Sequence, residues 1–158
     1  MHAIYIDISK AFNSIQHWHI EEVLKYYKIN PKLIAAIMNF LENRRARLKI
    51  NSQVIEWFKV TQGTPQGDSI SPLLFLMCIN PIIEYINQKR EGYKLNKWMK
   101  ISILAYANNI VLIGSSRKEI KKTLKQLEKW MNTYGLTINY NKSAYTHNCD
   151  KAMEPMYA

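Results

Sequence analysis

The segment ISILAYANNIVLIG, residues 101–114, constrains the fold more than any other stretch of the chain. Two runs of large and β-branched apolar residues, Ile101 to Tyr106 and Ile110 to Gly114, are separated only by Ala-Asn-Asn. Such runs favour extended backbone, and so short a connection joins them as a tight antiparallel hairpin. Asn suits the turn because its short polar side chain tolerates positive φ and bonds the local backbone.

The rest of the chain supplies partners for that hairpin. AIYIDI (Ala3 to Ile8) reads as a strand carrying Asp7. A helix is expected from about Gln16 to Tyr27, and a second opens with Asn30 as cap and Pro31 at its first position, LIAAIMNFL giving its buried face. RLKINSQVIEWFKV (Arg47 to Val60) alternates around Asn51-Ser52-Gln53, as a hairpin does. The loop TQGTPQGDSISP leads into a long helix capped by Ser71, with Pro72 first and an interruption or bend expected near Pro81. SSRKEIKKTLKQLEKWMNTYG is amphipathic, with Ile120, Leu124, Leu127 and Met131 on one face and Gly135 ending it. LTINY supplies the last strand. In order these elements spell an α+β fold, a split β-α-β-β-α-β antiparallel sheet with both helices on one face, plus an inserted helical pair and hairpin. That topology makes Asp7 and Asn108-Asn109 neighbours. With no repeat and no linker, residues 1–158 are expected to form one domain.

Composition narrows the partners. A chain of 158 residues with 47% apolar content can bury a core, and 22 Lys and Arg against 12 Asp and Glu give +10 and a pI near 9.6. Such a surface favours a polyanion, with nucleic acid first among polyanions. Cys78 and Cys149 are far apart and lack a CxxC partner, which supports neither a disulfide framework nor a zinc site. No run approaches membrane-spanning length and Asp7 interrupts any leader-like start, so an intracellular, reducing compartment is expected, without membrane contact. His17 and His19 have no ligand-spaced partners and read as surface or helix-start residues. The closing CDKAMEPMYA reads as a frayed tail or an arbitrary end.

Three blocks, YIDISKAFNSI, QGTPQGDSISPLLF and AYANNIVLIG, resemble in sequence, order and spacing the palm domain of reverse transcriptases of non-LTR (LINE-like) retrotransposons, related to group II intron enzymes. YGLTINYNKSAY is a weaker fourth match, and the resemblance covers roughly Ala3 to Tyr145. It implies RNA-directed DNA synthesis by two Mg²⁺ ions, held by carboxylates that converge from two strands. Asp7 supplies one carboxylate and the backbone oxygen of Ile8 a further ligand. Where the family has Tyr-Ala-Asp-Asp this chain has Tyr-Ala-Asn-Asn, so Asn108 and Asn109 bring no charge, and Asn13 is a third Asp-to-Asn departure. Mg²⁺ is therefore expected to bind weakly or not at all, and the polymerase to be inactive.

The resemblance places Phe12 at the gate that rejects a ribose 2′-OH, its plainer reading being a core Phe. It makes Gln66, beside Gly67, the contact to the incoming nucleotide. Gly63 and Gly67 would let backbone approach the template; otherwise they are turn glycines. Lys142 aligns with the lysine proposed to protonate pyrophosphate, or is one solvated lysine among many. Asp68 is a loop acid or a cap. Arg44, Arg45, Arg47 and Lys49 are candidate phosphate contacts, or a solvated charge run. Fingers before the first strand and a thumb after the palm do not fit within the chain. Beside a silent polymerase palm stand two other readings. One is a non-catalytic module that binds RNA or DNA weakly and with salt sensitivity. The other is a structural remnant that self-associates or takes a partner protein on exposed palm surface.

Overall fold

The computed structural model describes residues 1–50, 53–54, 56–89, 92–148 and 154–155. In chain order the elements are β1 (His2–Ser9), α1 (Ala11–Ser14), α2 (His17–Tyr26), α3 (Pro31–Glu42), β2 (Arg45–Ala46), β3 (Lys49–Ile50), β4 (Gln53–Val54) and β5 (Phe58–Lys59). They continue with α4 (Ser71–Lys89), β6 (Tyr93–Lys94), β7 (Lys100–Ile101), β8 (Ile103–Tyr106) and β9 (Asn109–Gly114). The last are α5 (Arg117–Thr133), β10 (Thr137–Ile138), a 3-10 turn (Tyr140–Lys142), β11 (Ala144–His147) and β12 (Glu154–Pro155). These fall into two compact units, one formed by Met1–Ala11 with Ile79–Ala158, the other by Phe12–Cys78.

The first unit is built on β1. Ala3, Ile4, Ile6 and Ile8 are buried, which identifies an inner strand. It pairs with β9 on one side and β11 on the other, giving the order β12-β11-β1-β9-β8 with every pairing antiparallel. Helix α5 packs on β9 and β1 through Ile120, Leu127 and Met131, with Thr123 buried on that face and Leu124 at its margin. Its cap is Ser116, whose hydroxyl accepts from the Glu119 N–H, and it ends before Gly135 at φ +79°.

Four sequence expectations are revised in this unit. The hairpin turn puts its positive φ on Ala107 (+51°) and not on an asparagine. Of the interruption or bend expected at Pro81 the interruption does not occur: α4 runs through the proline, with Ile79 before it and Ile82 and Ile86 after it on one buried face. Burying three isoleucines at roughly 1.5–3 kcal/mol each outweighs a proline penalty of about 3 kcal/mol. LTINY contributes only a two-residue pairing to the end of β1, and the strand that completes the sheet is β11, in the register Ile4↔Tyr145. Within the closing segment Glu154 and Pro155 pair with β11 as β12, while the rest of that segment, Cys149 included, lies outside the described residues. Among the described residues no helix is long and apolar enough to cross a membrane.

In the second unit α2 packs on α3, with Ile20, Val23 and Leu24 buried on one and Ile34, Ile37, Met38 and Leu41 on the other. Asn30 caps α3, its side chain accepting from the Lys32 N–H at 2.9 Å, with Pro31 first as the sequence predicts. The hairpin after it is present as β2 with β5 and β3 with β4; Asn51 and Ser52, at its expected tip, lie outside the described residues. His17 and His19 are buried, contrary to the surface reading, although His17 does start α2. His17 Nε2 hydrogen-bonds the Gly63 carbonyl at 3.0 Å and His19 Nε2 the Cys78 carbonyl at 3.3 Å. They share the helical spacing of Ile20, Val23 and Leu24, which a search for ligand spacing does not register. Ser71 begins α4 without capping it from outside: its hydroxyl donates to the Pro65 carbonyl, while Asp68 accepts the Ile70 N–H.

Candidate functional site

The end of β1 and the β8–β9 turn meet around one carboxylate. Asp7 lies directly opposite Asn109 in the β1–β9 register, so the two residues share a face of the sheet. The Ile8 N–H donates to the Asn108 carbonyl at 3.1 Å. The Asn108 side-chain amide donates to Asp7 Oδ1 at 3.0 Å. An ionised carboxylate can only accept, so this bond turns the Asn108 NH₂ toward Asp7 and its oxygen away.

A second carboxamide, which sequence reasoning missed, closes the other side. Asn139 Nδ2 donates to Asp7 Oδ2 at 3.3 Å, and the Asn139 N–H donates to the Asp7 carbonyl at 2.9 Å. Ser143 Oγ accepts the Asp7 N–H at 3.2 Å and donates to the Asn139 carbonyl at 2.8 Å. Between them runs the 3-10 turn, tied to α5 by the Tyr140 hydroxyl donating to Glu128. That bond, with burial second, pushes the Tyr140 hydroxyl up to about 12. Lys142 ends the turn and is exposed. The polar run Asn-Tyr-Asn-Lys-Ser marks a turn in the sequence; its attachment to Asp7 has no local signal.

The donor chemistry bears on Mg²⁺. Two-ion sites need several anionic oxygens at short range, whereas here one carboxylate has an N–H donor on each oxygen. Among the described residues no group of three or more His, Cys, Asp or Glu is placed to hold a metal ion. The residues present do not fit a metal pair.

The remaining candidates belong to the second unit. Phe12 is half-buried and packs on Phe75, ring centres 4.9 Å apart. Its carbonyl accepts the Thr64 N–H at 2.7 Å, and the Gly63 N–H donates to the Ile15 carbonyl at 2.7 Å. Gly63, at φ +76°, is required by this approach, since a Cβ there would lie 2.6 Å from the backbone of Asn13. Gly67 has φ +83° and open space around it, and with Gln66 it is exposed. Arg44 Nη2 donates to the carbonyls of Gly63 (2.6 Å) and Gln62 (3.2 Å), so this guanidinium clamps the loop, and burial lowers its pKa. Arg45, Arg47 and Lys49 are exposed, Arg47 lying over the Trp57 ring at 4.8 Å.

The site is thus an acidic residue near the end of an antiparallel strand, set beside a tight hairpin. Comparison with known proteins gives the class. Residues 1–154 match the family described as "Reverse transcriptase (RNA-dependent DNA polymerase)", and the chain belongs to that family. It is 27% identical over 133 residues to the Pol polyprotein of the type-1 retrotransposable element R2 of Nasonia vitripennis, covering 84% of this chain and 13% of that protein. It is 24% identical over 169 residues to a probable RNA-directed DNA polymerase from transposon BS of Drosophila melanogaster, covering 99% of this chain and 17% of that protein. The chain is thus a reverse transcriptase domain of non-LTR retrotransposon type, spanning a small part of its relatives' length. Among solved structures it is similar to a Candida tropicalis telomerase in complex with the TWJ fragment of telomeric RNA, with TM-score 0.72, 14% identity and coverage of 96% of this chain and 26% of that one. At that identity the likeness concerns the fold alone.

Proposed function

We propose that this domain is the palm of a non-LTR retroelement reverse transcriptase whose polymerase site is catalytically silent. The carrying observation is the pair of carboxamides on Asp7, Asn108 on one oxygen and Asn139 on the other. Asn108 and Asn109 stand where the family's Tyr-Ala-Asp-Asp resemblance puts its second and third carboxylates, and Asn108 directs a donor, not an oxygen, into the site. The strand order supports the palm reading: with β1, β8, β9 and β11 as its four strands in chain order, the sheet runs fourth, first, third, second, the order of a split β-α-β-β-α-β fold. Asp7 acts as a structural acceptor that fastens the hairpin and the 3-10 turn to the end of β1. RNA or DNA binds the basic surface weakly and in a salt-dependent way. Primer extension on an RNA template with Mg²⁺ or Mn²⁺ tests the silence. No product is expected from the purified chain, and templated incorporation overturns the proposal. Calorimetric titration with Mg²⁺ gives a second readout, with binding expected only after Asn108→Asp and Asn109→Asp.

A further inference from the structure

We infer that the β6–β7 hairpin is a contact for single-stranded nucleic acid, with the Trp98 indole as a platform for one base and Lys94 and Lys97 as phosphate partners. Trp98 is 95% exposed, with Tyr106 at 85% next among the large apolar side chains of the described residues. A structured turn holds it in solvent. Asn96 Oδ1 accepts the N–H groups of both Trp98 (2.8 Å) and Met99 (2.7 Å), and the Leu95 N–H donates to the Met99 carbonyl at 2.9 Å.

The base of the hairpin is fixed as firmly. The Gly92 N–H donates to Glu119 Oε1 at 2.8 Å, and the Ser115 hydroxyl donates to the Gly92 carbonyl at 3.0 Å. Gly92 has φ +63°, and a Cβ there would lie 2.4 Å from Ser102 Oγ. The arm is therefore closed at its tip and pinned at its root to the start of α5, and it presents an indole with no side chain covering it. Fully exposing a tryptophan forfeits the large apolar burial its size makes available, and Leu95 and Met99, each 53% exposed, extend the apolar surface of the same tip.

Charge identifies the occupant. From Gly92 to Lys118 the sequence contains no Asp or Glu, while Lys94 and Lys97 flank the tip and are exposed. A single strand offers what this tip complements, an apolar planar face beside a phosphate, whereas a duplex hides its base faces in the stack. The hairpin root sits at Ser102 and Ser115, the end of the β8–β9 pair opposite the 107–108 turn, so the contact does not depend on the Asp7 site being silent. It rests on the proposal that the chain binds nucleic acid, and the experiment separates the two.

The test is fluorescence anisotropy with a short labelled oligodeoxythymidylate at low salt, on the whole chain and on Trp98→Ala, Trp98→Phe and the double change Lys94→Gln, Lys97→Gln, each checked by thermal melting. Loss of affinity by about fivefold or more is expected for Trp98→Ala, with Trp98→Phe within about twofold of the parent. The lysine variant should flatten the dependence of affinity on salt. Oligonucleotide should also quench tryptophan emission more in the parent than in Trp98→Phe. If the parent binds and Trp98→Ala binds equally well, the hairpin inference is overturned and nucleic-acid binding stands. If the parent does not bind, both fall. Equal loss on a duplex of the same length, or a response of Trp98 to phosphatidylserine vesicles but not to oligonucleotide, also overturns the inference.

Discussion

At Asp7 the two carboxylate oxygens each meet an amide N–H, and Asn108→Asp would replace one donor with a second negative charge about 3 Å away. In EDTA at neutral pH this change should cost about 1–2 kcal/mol, because two ionised carboxylates repel and the hydrogen bond is lost. The cost should shrink in acid, where one group takes a proton, and Mg²⁺ should reduce it further only once Asn109→Asp is added. Thermal melts at pH 7 and pH 4, with and without metal, read all three; an unchanged midpoint in EDTA would count against Asp7 as the centre of this cluster. One residue away, Ala107 holds φ +51° at the first central position of the turn, a conformation that L side chains adopt at a cost of about 1–2 kcal/mol. Ala107→Gly should stabilise by about 0.5–1 kcal/mol, the strain relieved less the added backbone entropy of the unfolded chain. Urea titration measures it directly.

Elements are joined here by backbone approach as much as by side-chain packing. The 62–64 segment lies against 12–16 through the bonds of Gly63 to Ile15 and Thr64 to Phe12, with Arg44 and His17 both on the Gly63 carbonyl. Gly63 and Gly67 share the left-handed conformation but differ in space, which makes them a matched pair. Gly67→Ala should cost only the conformational strain, about 1 kcal/mol. Gly63→Ala must also push the Asn13 backbone aside and should cost about 3 kcal/mol or more. Equal losses in denaturant melts would mean that the close approach does not control this loop. Arg44 separates from its neighbours by the same reasoning. Arg44→Ala should lower the melting temperature by removing the donor that clamps the carbonyls of Gln62 and Gly63. Arg45→Glu with Arg47→Glu should instead weaken RNA and DNA binding alike and leave the melt nearly unchanged.

For the whole molecule, one pH response comes from the buried His19 imidazole. Burial lowers the pKa of His19 from its ordinary value of 6.5, outweighing the Cys78 carbonyl and Glu22, which raise it. The folded state therefore binds fewer protons than the unfolded state in the window between the two values. Stability from this group is present in full above about 6.5 and is lost as pH falls toward the lower folded value. Melting temperature should drop between pH 7 and pH 5, and His19→Gln should flatten that slope. A slope that is unchanged in the variant would assign the pH response to other groups.

Local patterns alone determined much of this chain: the β-branched runs of the hairpin, the Asn30-Pro31 start of α3, the apolar stripe of α5 and its stop at Gly135. Element order alone was enough to bring Asp7 beside Asn109, since a split arrangement leaves the end of its first strand against the central hairpin. These features are legible because periodicity, capping and turn chemistry act over a few residues. Tertiary structure decided the rest. It put the strained φ on Ala107, moved the closing strand from LTINY to 144–147, and buried His17 and His19 on the packed face of α2. It also brought Asn139 to a carboxylate 132 positions away in sequence, completing the amide pair on which the functional reading rests. No local rule reaches that far: an asparagine in a polar turn has the same neighbours in sequence whether its amide faces water or Asp7, and only the packing of the 3-10 turn against the end of β1 chooses between them.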